Sequence, residues 1–92
     1  MKKNLFIRVD GSAEIGTGHI IRCIALAKEL KDSFNKIIFL TKNTSENLID
    51  IIKNNDLQVK IIHENGLSNE IKFLTSFIGL YDTELNYLLI DH

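Results

Sequence analysis

The chain has no proline, a single cysteine and no apolar run near the length of a membrane helix. Each absence closes a class of explanation. A lone thiol, Cys23, rules out an internal disulfide and fits a reducing compartment, so the expected location is the cytoplasm. A bilayer-spanning helix takes roughly 20 consecutive apolar residues, and no signal-peptide core follows the N-terminus either. Basic residues do not gather beyond Lys2-Lys3, and the formal net charge is −1, which speaks against a dedicated nucleic-acid binder. Low-complexity tracts and internal repeats are absent as well. What remains is an ordinary globular composition, 45% hydrophobic and 25% charged over 92 residues, enough for one small domain or part of a larger one.

Apolar runs and helical patterns alternate along the chain. Leu5–Val9, Ile37–Thr41, Val59–His63 and Tyr87–Asp91 read as strands, with the β-branched, nearly unbroken apolar character of strands buried on both faces. A helix is expected from Gly18 to about Asp32, with Ile20, Ile24, Ala27 and Leu30 or Leu26 on its apolar face. A second covers Ser45 to Asn55 with Leu48, Ile49, Ile51 and Ile52, and Thr44 or Ser45 as its N-cap. A third runs from Asn69 to about Tyr81 through Ile71, Leu74, Phe77 and Ile78, interrupted by Gly79. The order βαβαβαβ predicts an α/β fold with a Rossmann-like parallel sheet. Such a piece leaves strand edges and apolar surface uncovered, so residues 1–92 are expected to be part of a longer protein, and self-association through the sheet edges is a further expectation.

The densest signal is Arg8-Val9-Asp10-Gly11-Ser12-Ala13-Glu14-Ile15-Gly16-Thr17-Gly18-His19. A strand, a loop with three glycines and a helix start together present backbone N–H groups to an anion. The spacing is G-x4-G-x-G, not the G-x-G-x-x-G of dinucleotide folds, and no Lys-Ser/Thr follows Gly16 as in a P-loop. The second strand ends in Thr41-Lys42-Asn43, with no acid for a ribose hydroxyl. ATP and NAD are therefore poor fits, and no cofactor is implied.

In open α/β sheets ligands bind beyond the carboxyl ends of the strands, where strand order reverses. A 3-2-1-4 order would bring the Asp10–His19 loop beside Asp91 and His92. His19 is either the leading catalytic candidate or a helix-start histidine bonded to a neighbouring loop: it opens a helix, whose positive end suits the neutral imidazole that a base for water must be. Gly11, Gly16 and Gly18 allow close approach of a phosphate or sugar, positive φ, or both. Asp10 orients a substrate or His19, or caps the loop. Arg8, a charge inside an apolar strand, calls for an acid such as Asp10 or Glu14. Ser12 and Thr17 offer hydroxyls that turn chemistry already explains. Arg22, one turn after His19, reaches an anion at the helix start or is simply solvated. Cys23 sits among Ile20, Ile24 and Ala27 as core, and His63-Glu64 is read as surface. A metal site pooling His19, Asp10, Asp91 and His92 lacks zincin-like spacing, so no metal is expected.

The run Arg8-x-Asp10-Gly11-Ser12-x3-Gly16-x-Gly18-His19-x2-Arg22-Cys23-x2-Leu26-Ala27 resembles the start of the UDP-sugar hydrolases of the pseudaminic acid pathway and of the related spore-coat polysaccharide biosynthesis G proteins. Leu88-Leu89-Ile90-Asp91-His92 resembles that family's fourth strand, usually followed by a tyrosine that this chain lacks. The resemblance implies most of the N-terminal domain of a two-domain, glycosyltransferase-B-like protein, with the nucleotide held mainly by a C-terminal domain outside this chain. It implies metal-free release of UDP from a 2,4-diacetamido-2,4,6-trideoxy sugar by attack of water at the anomeric carbon, with inversion. His19 would activate the water, and Asp10, Gly11, Gly16, Thr17, Gly18, Arg22, Asp91 and His92 would line the substrate. A sugar transferase of the same architecture, a non-catalytic anion-binding module and a phospho-acceptor receiver domain remain as alternatives from the residues alone.

Overall fold

A computed structural model of the protein describes residues 2–11, 16–81 and 85–90. The elements alternate as expected: β1 (Lys3–Arg8), α1 (Gly18–Leu30, prolonged by a 3₁₀ turn at Lys31–Ser33), β2 (Lys36–Thr41), α2 (Glu46–Asn54), β3 (Gln58–Ile61), α3 (Leu67–Gly79) and β4 (Leu85–Ile90). The four strands form one parallel sheet in the order β3-β2-β1-β4. This is the α/β, Rossmann-like arrangement that the alternation predicts. Arg8 pairs with Leu40 on one side and Ile90 on the other, so the carboxyl ends of the central strands share one edge.

The period-two alternation of β1 and β2 builds two cores. Leu5, Ile7, Val9, Ile37 and Phe39 face α1 and α2, where Ile20, Cys23, Ile24, Ala27, Leu48 and Ile52 close over them. Phe6, Ile38, Leu40 and Ile62 face the other way and are covered by Phe73, Leu74, Phe77 and Ile78 of α3, with Tyr81 beyond its end. Phe6 meets Tyr81 and Phe77 edge-on at centroid distances of 5.5 and 6.1 Å. Burying each such large side chain contributes about 1.5–3 kcal/mol, and the two central strands supply the centre of both cores.

The outer strands differ from expectation. Gln58 and Lys60 of β3 are exposed, and so are Leu85, Tyr87, Leu88 and Ile90 of β4. Only β1 and β2 are buried on both faces. The strand order explains the difference, because among the described residues β3 and β4 are the sheet's edges and one face carries a single helix. That helix, α3, buries none of its residues fully. Between α3 and β4 lies an open apolar groove of about 500 Å³, lined in part by Ile71, Leu74, Ile78, Leu88 and Ile90.

Local signals set the helix ends with small shifts. Gly66, at φ +84°, precedes α3, which starts at Leu67 and ends at Gly79 instead of running through it. Ser45 holds the N-cap position of α2 but makes no side-chain capping bond. No helix among the described residues is long and apolar enough to cross a membrane.

One polar pair sits between β1 and β4. Asn4 is fully buried, stands opposite Asn86 in the ladder, and donates from Nδ2 to Asn86 Oδ1 at 3.1 Å. Asn86 Nδ2 donates in turn to the Tyr81 carbonyl at 2.9 Å, tying the edge strand to the end of α3.

Candidate functional site

The reversal of strand order falls between β1 and β4, and the loop leaving β1 starts at that point. Asp10 is the anchor of this loop. Its Oδ1 accepts from Arg8 Nη1 at 2.6 Å, from the Lys42 backbone N–H at 2.6 Å and from the Thr41 hydroxyl at 3.2 Å; its Oδ2 accepts from Arg8 Nη2 at 3.1 Å. A carboxylate so engaged is a structural clamp between β1 and the turn after β2. Gly11 extends the clamp: its N–H donates to the Thr44 hydroxyl at 3.2 Å and its carbonyl accepts from Ser45 N–H at 3.2 Å. Thr44 therefore spends its hydroxyl on the loop, where it also contacts the Thr41 hydroxyl.

Arg8 has the acid that its position demands, and a second one. Its Nε and Nη2 donate to Glu70 Oε2 and Oε1 at 3.0 and 3.1 Å, from β1 to the first turn of α3. The guanidinium thus forks between two carboxylates, the planar bidentate geometry that makes charge-assisted bonds strong. The Arg8 hydrogen bond holds the Glu70 carboxyl below its ordinary range, against partial burial, which pulls the other way. Burial acts to lower the affinity of Arg8 for its proton, and the bonds to Glu70 and Asp10 outweigh it, so Arg8 is raised. Glu70 escaped the sequence reading because 62 positions separate it from Arg8. The available signal was topological: a helix leaving the carboxyl end of β3 begins at the same edge as Arg8.

The three glycines separate into different roles. A Cβ on Gly11 would stand 2.9 Å from both Ile20 Cδ1 and Leu48 Cδ1, so this glycine lets α1 and α2 close over the strand end. Gly16 adopts φ +96°, the left-handed region that glycine tolerates. At Gly18 neither reason applies: it opens α1, and among the described residues a Cβ there would meet nothing within 4 Å. Among the described residues nothing fills the place of the missing side chain at the helix start, and Thr17 beside it is exposed.

His19 is half-buried in the first turn of α1, and Arg22 is exposed one turn later. Arg22 Nη2 lies 2.9 Å from His19 Nδ1. Cys23 is buried in the core, as its neighbours predict, and His63 is exposed beyond β3, at the far edge of the sheet. Asp91 and His92, and Ser12 and Glu14 of the loop, lie outside the described residues. Ile90, which precedes Asp91, pairs with Arg8 at the edge that carries the site. Among the described residues no three His, Cys, Asp or Glu side chains gather closely enough to hold a metal ion.

No family model matches the chain. An uncharacterized protein of Methanocaldococcus jannaschii is 35% identical over 77 residues, which is 83% of this chain and 16% of that protein. The chain thus spans about a sixth of the length of the curated relative it matches. No solved structure matches it.

Proposed function

We propose that this chain forms part of a nucleotide-sugar hydrolase. The carrying observation is the placement of an open glycine helix start, with His19 and Arg22 on one helical face, directly after β1 where strand order reverses. That is where α/β folds bind ligands, and a helix start favours a phosphate. The resemblance of the Arg8–Ala27 motif to the pseudaminic-acid-pathway and spore-coat G proteins supplies the substrate class: UDP linked to a 2,4-diacetamido-2,4,6-trideoxy sugar. In this reading residues 1–92 belong to the N-terminal half of a glycosyltransferase-B-like enzyme of surface polysaccharide synthesis, working in the cytoplasm where nucleotide sugars are made.

The chemistry needs few groups. His19 accepts a proton from water as the water oxygen bonds to the anomeric carbon. The bond from that carbon to the diphosphate oxygen breaks on the opposite face, and UDP departs with the electron pair. The backbone N–H groups at Gly18 and the Arg22 guanidinium offset the charge that develops on the diphosphate. Asp10, Gly11 and Arg8 hold the loop in place from behind. Asp91 and His92 follow β4 and complete the proposed lining.

The test is UDP release from UDP-linked diacetamido-trideoxy sugars by the protein and its His19→Ala variant. Loss of a general base lowers turnover by about 10²–10⁴-fold. Equal release by both would remove His19 from the chemistry. Release only with an added sugar acceptor would make the enzyme a transferase, and binding without release would make the chain an anion-binding module.

A further inference from the structure

Glycine follows a short acid or amide at Asp10-Gly11 and at Asn65-Gly66. In either pair the glycine nitrogen can attack the Cγ of the preceding side chain and close a cyclic imide, a succinimide. Glycine favours this step because no Cβ shields its nitrogen and its backbone turns freely. Of the chain's asparagines, only Asn65 precedes a glycine.

The fold treats the pairs in opposite ways. Both carboxylate oxygens of Asp10 are held, by Arg8, the Lys42 N–H and the Thr41 hydroxyl. The Gly11 N–H already donates to the Thr44 hydroxyl, and Ile20 and Leu48 crowd the residue. Ring closure there would break these bonds together. Asn65 and Gly66 are both exposed, in the connection between β3 and α3. Among the described residues nothing bonds to the Asn65 side-chain amide or to the Gly66 N–H. The bonds made here go to the two carbonyls, which accept from Asn69 Nδ2 at 2.9 Å and from the Glu70 N–H at 3.0 Å. Gly66 stands at φ +84°, with no described atom within 4 Å of the place a Cβ would take. The attacking nitrogen and the amide therefore have no partner to give up and no neighbour to displace.

We propose that Asn65 is a site of spontaneous modification, ageing to aspartate and isoaspartate, and that the clamp on Asp10 protects Asp10-Gly11 from the same chemistry. The Gly66 nitrogen loses its proton to solvent and bonds to Asn65 Cγ. The bond from Cγ to Nδ2 breaks, and the amide leaves as ammonia. Water then opens the imide at either carbonyl. Attack at Cγ gives aspartate; attack at the main-chain carbonyl gives isoaspartate, in which the backbone runs through Cγ and the old carbonyl becomes a free carboxylate. One water is consumed and one ammonia released. The isoaspartate form adds a carbon to the backbone directly before α3, whose first turn carries Glu70, the partner of Arg8. Its new carboxylate is the group that isoaspartyl carboxyl methyltransferases recognise, so an enzyme of that class is the expected partner of the aged protein.

The test is incubation of the folded protein at physiological temperature and mildly alkaline pH, with a parallel sample unfolded in guanidinium chloride. Trypsin then cuts at Arg8, Arg22, Lys60 and Lys72, isolating residues 9–22 and 61–72. Mass spectrometry reads the change from amide to acid at Asn65. Labelled methyl transfer by an isoaspartyl methyltransferase reads isoaspartate in each peptide. In the folded sample, peptide 61–72 should gain the acid and the label with time, while peptide 9–22 stays unlabelled. In the unfolded sample both peptides should take the label. Asn65→Gln should lose the conversion, because the larger ring closes poorly, and circular dichroism checks that this exposed substitution keeps the fold. An Asn65 that stays an amide in the folded protein but converts in the unfolded one would overturn the proposal. So would conversion as fast at the other asparagines, or labelling of peptide 9–22 as fast in the folded sample as in the unfolded one.

Discussion

Replacing Gly11 by alanine separates the structural glycine of the loop from the one proposed to face the ligand. The new Cβ would lie 2.9 Å from Ile20 Cδ1 and Leu48 Cδ1 and 3.2 Å from Ile20 Cγ1. Carbon atoms pack best at about 3.5–4.0 Å, so both methyls must retreat by roughly 0.6 Å or more. Ile20 is fully buried and Leu48 nearly so, which leaves them little room. Overpacking of this kind costs about 1–3 kcal/mol. The clashing atoms are the ends of flexible side chains, which places the expectation at about 1–2 kcal/mol and a Tm loss of about 4–16 °C for a domain of this size. Ile20→Val deletes one of the two methyls and by itself costs about 0.5–1.5 kcal/mol. Combined with Gly11→Ala it should relieve half the clash, so the double variant should be more stable than the sum of the singles by about 0.5 kcal/mol or more. Urea unfolding followed by circular dichroism measures all four corners of the cycle. Gly18→Ala is the contrast: alanine is the better helix former by up to about 1 kcal/mol, so stability should hold or rise while UDP release falls. A Gly11→Ala protein as stable as the parent, or a strictly additive pair, would refute the packing argument.

Other outcomes follow from the charged and polar clamps. Glu70→Gln should cost about 1–2 kcal/mol, because the pair with Arg8 is only partly buried and glutamine keeps one acceptor. Glu70 is held below its ordinary value of 4.5, so its stabilisation is full above that pH and is lost as pH falls further. The stability gap between parent and Glu70→Gln should therefore close on acidification below about 4.5, and a gap independent of pH would count against the ion pair. Asp10→Asn turns an amide hydrogen toward one of its donors and should cost about 1–3 kcal/mol in thermal unfolding. Asn86→Leu removes a hydrogen-bond acceptor of Asn4 Nδ2 inside the sheet and should cost a similar amount, about 1–3 kcal/mol by urea titration.

The core of β1 and β2 was legible because both are buried on two faces, and an unbroken apolar run has no other comfortable place. β4 is different: Leu85 to Ile90 looks as apolar as β1, yet at the edge of the described sheet four of its six residues are exposed, which is the uncovered apolar surface that the alternation also leads one to expect. Edge or centre depends on strand order, which composition does not encode. Arg8 announced that it needed an acid, and Asp10, two residues along the same strand face, was the readable half of the answer. Glu70 required knowing which helix begins at that edge. Thr44 and Ser45 were interchangeable as caps by residue type, and only the approach of Gly11 N–H decides that Thr44 is drawn to the loop. The glycine pattern pointed to a site but did not separate Gly11, held by packing, from Gly18, which packing does not require.

Strand order also has a kinetic meaning. β1 lies in the interior of the sheet, with Asn4 paired to Lys36 on one side and to Asn86 on the other. Its first partner lies some thirty residues along the chain, while its second, Asn86, is 82 positions away. Closing the longer loop is slower and is rewarded only when both asparagines meet in register. During synthesis, β1–β2–β3 with α1 and α2 can assemble while one edge of β1, including the buried amide of Asn4, waits open. Docking of β4 then converts this aggregation-prone edge of β1 into an interior one, and the Asn4–Asn86 pair marks the register in which it docks.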